Sequence, residues 1–187
     1  MAFLTTYAQF VGDINVPNSA PSFSEGANLA TMINTYEQEY LTEVLGYEMF
    51  KAFGAAYNIV TPPTSGIWYD LANGAEFTDS LGRLNKWQGF KTAPFNPIAY
   101  YVYYRLLASN SVIITGHGAS VAKTENSVMV SPTPKMVRAY NKMVDFTMIL
   151  DDFLTVNIAD YPDYTGYVFG YQNGNMNFFK YQNLLGL

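Results

Sequence analysis

One stretch of the chain, from Ala27 to Tyr57, constrains the fold more than any other because its apolar residues recur at helical spacing. Between Leu29 and Leu45 they follow the three-and-four spacing that places side chains on one face of an α-helix. These residues are Leu29, Met32, Ile33, Tyr36, Tyr40, Leu41, Val44 and Leu45. Gly46 can adopt the left-handed backbone conformation that ends such a helix, and a second short helix is expected directly after it. The sequence therefore predicts two helices that meet at a corner.

The polar residues of this stretch fit the same prediction. Ser24 is placed to cap the first turn, and Glu25 suits the positive end of the helix dipole. Glu37, Glu39 and Glu43 lie off the apolar stripe. Glu39 and Glu43 share one helix face, and a like-charge pair at this spacing is typical of a solvated edge rather than of an acid–base couple. We therefore expect no catalytic carboxylate pair on this helix.

Two more long helices are predicted in the second half of the chain. Asn96 and Pro97 form a favourable helix start, since Asn caps the first turn and Pro lacks only an N–H that has no partner there. Residues Ile98 to Leu107 are apolar or aromatic nearly all the way round, which indicates a helix buried on most sides. From Lys135 to Val156 the apolar positions again repeat at helical spacing, which predicts a long bundle helix. The core residues predicted from the long helices are Leu41, Leu45, Tyr101, Tyr140, Met143 and Leu150.

Shorter segments are predicted between the long helices. Thr5 to Gly12 is expected to form a short helix, and Ile67 to Leu71 one or two helical turns that end at Asn73 and Gly74. Phe77 to Leu84 has the pattern of an irregular or short strand segment with a turn at its middle. The sequence thus predicts a mainly α fold, a helical bundle of about four to five helices.

One β-hairpin is predicted, from Ser111 to Val130. β-Branched residues flank the turn Gly116-His117-Gly118, and no other β element is as convincing. Because a two-stranded ribbon alone is marginally stable in water, we expect this hairpin to project from the bundle and to contact another chain. Its predicted interface residues are Ile113, Ile114 and His117. We interpret His117 as an exposed turn residue rather than as a catalytic base, since no neighbouring group orients its ring.

The last segment, from Ile158 to Leu187, is rich in aromatic residues but has no helical period. So much aromatic surface needs a partner, and the segment is expected either to lie across its own domain or to clasp a neighbour, with neighbouring subunits ordering most of it. We therefore divide the chain into a helical domain, residues 1–157, and an extended C-terminal arm, residues 158–187. The interface residues predicted in the arm are Tyr164, Tyr167, Phe169, Tyr171, Phe178 and Phe179.

Composition points to assembly rather than to chemistry. Charged residues make up only 13% of the 187 residues and aromatic residues 17%. A surface rich in Tyr and poor in Lys and Glu is typical of contacts between chains. The chain has no cysteine and a single histidine, which excludes thiolate chemistry and the common zinc sites. No phosphate-binding loop or nucleophile motif is present, so we expect no enzyme activity, no cofactor and no metal.

Charge and hydropathy narrow the class of partner. A net charge of -5 opposes binding to nucleic acid through its phosphates. No apolar run approaches the roughly 18 residues that a membrane helix requires, and the N-terminus lacks the features of a signal peptide. These patterns predict a soluble intracellular protein that neither enters a membrane nor binds DNA specifically.

Several short motifs, in a fixed order, carry a resemblance to a known family. They are Tyr36-Glu37-Gln38-Glu39-Tyr40-Leu41, Val44 to Phe50, Trp87-Gln88-Gly89-Phe90-Lys91, Gly116 with Glu125-Asn126-Ser127, and Lys135-Met136-Val137 with Tyr140-Asn141. In their order and spacing, between residues 25 and 157, the chain resembles the head-to-tail connector or adaptor (neck) proteins of tailed bacteriophages, in the form carried by phages of Bacteroidetes hosts. The Gly-His-Gly tip of the hairpin and the C-terminal arm have no counterpart in this resemblance.

The resemblance implies a helical bundle with an extended hairpin that assembles as a dodecameric ring beneath the portal protein. Such a ring joins capsid to tail in the neck of the virion, after synthesis in the host cytoplasm. The implied partners are the portal and further neck or tail proteins, while DNA passes through the lumen without specific binding. An acidic lumen suits that passage, since a basic wall would hold the phosphates. Two alternatives stay open: another virion assembly component, such as a tail completion or minor capsid protein, and an enzyme that uses carboxylates and tyrosines in a buried site.

Overall fold

Helices dominate the structure, a computed structural model that describes residues 4–20, 24–58, 60–110, 113–115, 118–120 and 133–166. Within these residues the helices are α1 (Ser24–Leu45), α2 (Tyr47–Ala56), α3 (Ile67–Asn73), α4 (Pro97–Asn110) and α5 (Thr133–Val156). The strands are β1 (Ala75–Thr78), β2 (Leu84–Trp87), β3 (Ile113–Thr115) and β4 (Gly118–Ser120). The predicted mainly α fold is confirmed.

The corner between α1 and α2 depends on Gly46. Its φ of 78° lies in the region that side chains avoid, and no atom would meet a Cβ there within 4 Å, so the backbone conformation alone favours glycine. Gly46 donates its N–H to the carbonyl oxygen of Thr42 at 3.0 Å, which closes α1. Its own carbonyl oxygen accepts the N–H of Phe50 at 2.9 Å, which opens α2. The predicted corner is therefore confirmed.

Helices α4 and α5 lie antiparallel. The ring of Tyr104 meets that of Tyr140 with centroids 5.2 Å apart, whereas Tyr100, one turn earlier in α4, meets Phe146, farther along α5, at 5.5 Å. Asn96 caps α4 as predicted, because its Oδ1 accepts the backbone N–H of Ile98 at 2.9 Å. The segment that contains β3 and β4 therefore leaves the pair where α4 ends and α5 begins.

The core forms where α1 packs against α4 and α5. All of the predicted core residues are buried: Leu41, Leu45, Tyr101, Tyr140, Met143 and Leu150. The rings of Tyr40 and Tyr101 lie 5.7 Å apart between centroids. The hydroxyl groups of Tyr40 and Thr147 share a buried hydrogen bond of 2.6 Å, so the polar end of Tyr40 is satisfied inside the core.

A second hairpin, β1–β2, lies where an irregular or short strand segment with a turn was predicted, over Phe77 to Leu84, and it adds a β element to the one predicted hairpin. Phe77 lies opposite Asn85 in the antiparallel register, and Phe77 and Trp87 are buried. Trp87 donates its Nε1–H to the carbonyl oxygen of Leu71 at 2.8 Å, and the ring of Phe77 lies 5.6 Å from that of Phe153. These contacts attach the hairpin to α3 and to the last part of α5. Each four-residue strand has one buried residue, so its sequence shows no alternation that predicts a strand.

Strands β3 and β4 form the hairpin predicted around the Gly-His-Gly turn. Ile113 pairs with Ser120 and Ile114 with Ala119 in antiparallel register. The prediction extended to Val130, and residues 121–132 lie outside the described part of the chain. The pairing confirms a β-hairpin at this place, while its contact with another chain stays a prediction.

The N-terminal segment differs from the predicted short helix. In place of a helix over residues 5–12, the structure has two 3-10 turns, Tyr7–Gln9 and Gly12–Ile14. Gln9 accounts for the difference, because its side chain is buried and donates its Nε2–H to the carbonyl oxygen of Lys91 at 3.0 Å. The segment is therefore held by contacts with a distant loop rather than by its own helical period.

Candidate assembly interface

The predicted interface residues fall into three groups. Ile113 and Ile114 lie in β3, opposite β4. Tyr164 lies in the segment that follows α5. The remaining residues lie outside the described part of the chain: His117, Tyr167, Phe169, Tyr171, Phe178 and Phe179.

Tyr164 corrects the prediction for the start of the C-terminal arm. Its side chain is only 4% exposed, and its hydroxyl donates a hydrogen bond to Asp151 of α5. Tyr161 is also buried, and its hydroxyl donates to the carbonyl oxygen of Ile67 at 2.7 Å. The ring of Tyr161 meets that of Trp68 with centroids 5.9 Å apart. The chain is therefore fastened to its own domain as far as Tyr164, which is a core residue rather than a surface for a neighbour.

The tip of the β1–β2 hairpin presents two leucines on an ordered turn. Leu81 and Leu84 are 74% and 71% exposed. Asp79 organises this turn, since its Oδ1 accepts the backbone N–H groups of Leu81 and Arg83, each at 2.9 Å. Its Oδ2 accepts the Nε–H of Arg83 at 2.8 Å and the Nδ2–H of Asn85 at 2.9 Å. Leu81 and Leu84 thus form a preformed apolar projection, which we call the hairpin knob.

Charge and backbone conformation keep this turn in place. The hydrogen bond from the Arg83 backbone, followed by the other donors, holds the pKa of Asp79 below its usual range, so the carboxylate stays an acceptor at neutral pH. Gly82 completes the turn with a φ of 78°. The sequence indicated a turn here but not the knob. The missed signal is an Asp directly before the turn, where its side chain can accept backbone N–H groups.

An apolar groove of about 230 Å³ lies between the N-terminal segment and the first half of α1. The described residues of its lining include no charged side chain and are Thr5, Thr6, Tyr7, Ser19, Gly26, Ala30 and Ile33. Tyr7 is 45% exposed and Ala30 is also exposed, so the groove opens to solvent. We call it the N-terminal groove, and its chemistry suits an apolar side chain.

Glu37 holds one wall of the N-terminal groove in place. Although it lies off the apolar stripe of α1, its side chain is only 1% exposed. One carboxylate oxygen accepts the backbone N–H of Leu4 and the other that of Thr5, each at 2.8 Å. Burial raises the pKa of Glu37 to about 7, although these two hydrogen bonds act to lower it. The period of α1 could not reveal this role, because the partners of Glu37 come from another part of the chain.

Glu39 corrects the interpretation of α1's acidic face as a solvated edge. Its carboxylate accepts hydrogen bonds from the Tyr101 hydroxyl and the Arg105 guanidinium of α4. The guanidinium also lies 4.9 Å from the centroid of the Tyr36 ring. Burial, and then the bond to Glu39, raises the pKa of Tyr101, so its hydroxyl remains a donor. This cluster joins α1 to α4 and is not an acid–base pair.

The described residues contain no group of three or more His, Cys, Asp or Glu side chains that could hold a metal ion. A cleft of about 210 Å³ is lined in part by Asp13, Tyr100, Lys135 and Arg138. Burial, and then Asp13, raises the pKa of Tyr100, which is the opposite of what activates a nucleophile. None of the helices in these residues has the length and hydropathy that crossing a membrane requires.

A family model matches the part of the chain that contains the hairpin knob and the antiparallel helix pair. The family is described as a family of unknown function, DUF6712, and the match covers residues 67–167. That span is more than half of the 187 residues. The comparisons with curated proteins and with solved structures gave no match. The chain belongs to the DUF6712 family, whose function is unknown.

Proposed function

We propose that the chain is a structural virion protein, a head-to-tail connector that forms a ring beneath the portal protein and joins the capsid to the tail. The proposal starts from the resemblance of its motifs, between residues 25 and 157, to the neck proteins of tailed phages. The dodecameric copy number, the portal contact and the place in the virion neck are parts of the same proposal.

The observation that supports the proposal best is the position of the two hairpins on the α4–α5 pair. The β1–β2 hairpin is attached near the end of α5 through the contact of Phe77 with Phe153. The segment with β3 and β4 joins the end of α4 to the beginning of α5. One hairpin is therefore attached near the end of α5, and the other lies in the chain segment that precedes α5. A ring needs two different surfaces that meet on adjacent copies, and two separate hairpins on one chain are candidates for them.

The charge balance supports the same function. Each copy carries a net charge of -5, and these charges add in a ring of several copies. Phosphates that pass an acidic wall are repelled rather than held, because strong DNA binding requires many Lys or Arg contacts. A conduit for DNA therefore benefits from the charge that makes this chain unsuited to DNA binding.

Reconstitution with a portal protein tests the proposed function. The full chain is purified alone and after co-expression with the portal protein encoded by the same genome, and both samples are imaged by electron microscopy. We expect a ring of this protein stacked on one face of the portal, with the two central openings aligned. A portal that carries none of this chain, together with a chain that forms no ring, would contradict the proposal.

A further inference from the structure

The hairpin knob and the N-terminal groove form a complementary pair of surfaces on one molecule. We propose that Leu81 and Leu84 of one copy insert into the N-terminal groove of the adjacent copy, and that this joint links neighbouring subunits. The inference rests on the proposed ring and specifies which surfaces of the subunit build it.

The knob is suited to insertion because it is already ordered. Asp79 accepts four hydrogen bonds from the turn and from the start of β2, as described above. A preformed anchor loses little conformational entropy when it binds. More of the favourable free energy from burying Leu81 and Leu84 therefore contributes to binding. Arg83, the cation of this turn, is paired with Asp79 at 2.8 Å. Docking the knob therefore leaves no unpaired charge in an apolar contact.

The groove is suited to receive the knob because its lining is uncharged and one wall is fixed. Ile33 and Ala30 supply apolar surface from α1, and residues 5–7 supply the facing wall. That wall cannot drift from α1 easily, since the Glu37 carboxylate holds the backbone N–H groups of Leu4 and Thr5. None of the described lining residues is charged, so a leucine side chain that enters separates no ion pair among them.

The arrangement also explains why the occupant is a second copy within a closed assembly. Knob and groove are different surfaces, so the contact is heterologous and each copy has one of each to offer. Two leucines and the turn around them cover only a small part of the about 1,200–2,000 Å² that a stable pairwise interface buries. One joint is therefore too small to hold a dimer. Repeated around a ring, where each copy is held on two sides, the same joint becomes effective.

Substitution of the knob tests the joint. The double variant Leu81→Asp, Leu84→Asp places charge on side chains that are exposed in the free chain, so its thermal unfolding should match that of the wild type. We expect the concentration at half-assembly to rise by about tenfold or more, as for the loss of an interface anchor. Val60→Asp is the matched control, because Val60 is 84% exposed but lies in the loop after α2. The control should assemble like the wild type.

Cross-linking identifies the partner surface. The chain has no cysteine, so every disulfide of the variant Leu81→Cys, Ala30→Cys joins two introduced positions. The single variants Leu81→Cys and Ala30→Cys, which should give no cross-linked chains, exclude links between like positions. Mild oxidation of the assembled variant should give a ladder of linked chains that collapses to monomers on reduction. Ala30→Cys combined with Val60→Cys should give no such ladder.

The outcomes of these experiments distinguish failure of the joint from failure of the connector function on which it rests. A ring that forms normally with both leucines replaced, or an assembled double-cysteine variant without a ladder, would leave the connector function standing and overturn the joint. A cross-link confined to single chains would place knob and groove of one molecule together and would also overturn it. A wild-type chain that never assembles, with or without the portal, would overturn both.

Discussion

At the residue scale, Glu37 shows how a contact distant in sequence determines the environment of a side chain. Its position on α1 is off the apolar stripe, yet it is buried because the N-terminal segment crosses the helix at this point. Burial destabilises its charged form, which two backbone N–H groups only partly compensate. The stability of the fold should therefore depend on pH through this one carboxyl group.

The substitution Glu37→Gln tests that dependence. Because the pKa of Glu37 is raised from 4.5 to about 7, its contribution to stability is fully present below pH 4.5 and is lost as the pH rises through 7. The free energy of unfolding of the wild type, measured relative to Glu37→Gln, should fall over this range by on the order of 3 kcal/mol. Glu76→Gln, at an exposed position of β1, controls for the loss of one charge. If the difference in free energy of unfolding between the wild type and Glu37→Gln stays constant from pH 4 to pH 8, Glu37 does not cause the pH dependence.

Leu41 provides a test of the core predicted from helical period. It is completely buried in α1, so Leu41→Ala should lower the free energy of unfolding by about 2–5 kcal/mol through lost burial and the cavity left behind. Leu81→Ala removes the same atoms from a position that is 74% exposed and should change the free energy of unfolding by less than about 0.5 kcal/mol. Chemical denaturation of both variants, below the concentration at which the protein assembles, gives the comparison. Equal effects of the two substitutions would show that Leu41, and with it this face of α1, is not part of the core.

At the element scale, the long helices could be predicted because each has many apolar positions that repeat one period. The β1–β2 hairpin was predicted only as an irregular or short strand segment with a turn, since its strands are short and only Phe77 and Trp87 turn inward. The polar contacts of Glu37 and Glu39 and the burial of Tyr164 were also missed. All three depend on which elements become neighbours in space, and helical period does not contain that information. The N-terminal groove could not be predicted for the same reason, because residues from separate segments of the chain line it.

Tyr161 tests whether the chain beyond α5 is fastened to its own domain. Tyr161→Phe keeps the ring in its contacts with Trp68 and Phe153 but removes the hydrogen bond to the carbonyl oxygen of Ile67. The free energy of unfolding should fall by about 1 kcal/mol, with some further loss from the unpaired carbonyl group. Tyr47→Phe, at a position that is 65% exposed, should have almost no effect. Equal thermal unfolding of the wild type and Tyr161→Phe would argue against this attachment of the C-terminal segment to its own domain.

The hairpin of β3 and β4 is tested by shortening it. Deleting residues 115–119 removes the turn and one end of the strand pairing while leaving α4 and α5 intact. Since we expect this hairpin to contact a neighbouring chain, the deletion should give a folded monomer that assembles poorly. Circular dichroism reports the fold and light scattering the assembly. Wild-type assembly of the shortened chain would show that the hairpin is a surface loop.

At the scale of the whole molecule, the features fit a subunit that is stable by itself and connects to copies of itself. Among the described residues, one buried core unites the helices with the start of the C-terminal segment. The knob and the N-terminal groove are exposed and are available for contacts between chains. Membership of the DUF6712 family adds no function to this arrangement, so the proposed ring depends on the behaviour of the protein in solution.

The mass of the purified full-length chain, measured by native mass spectrometry across a range of protein concentrations, tests the proposed ring most directly. A closed ring predicts one dominant assembly whose mass is a fixed multiple of the 187-residue chain and stays the same as the concentration rises, because a closed ring has no free end to which further copies add. A chain that remains monomeric at every concentration, both alone and together with the portal protein, or a continuous series of growing oligomers, would contradict the proposed ring.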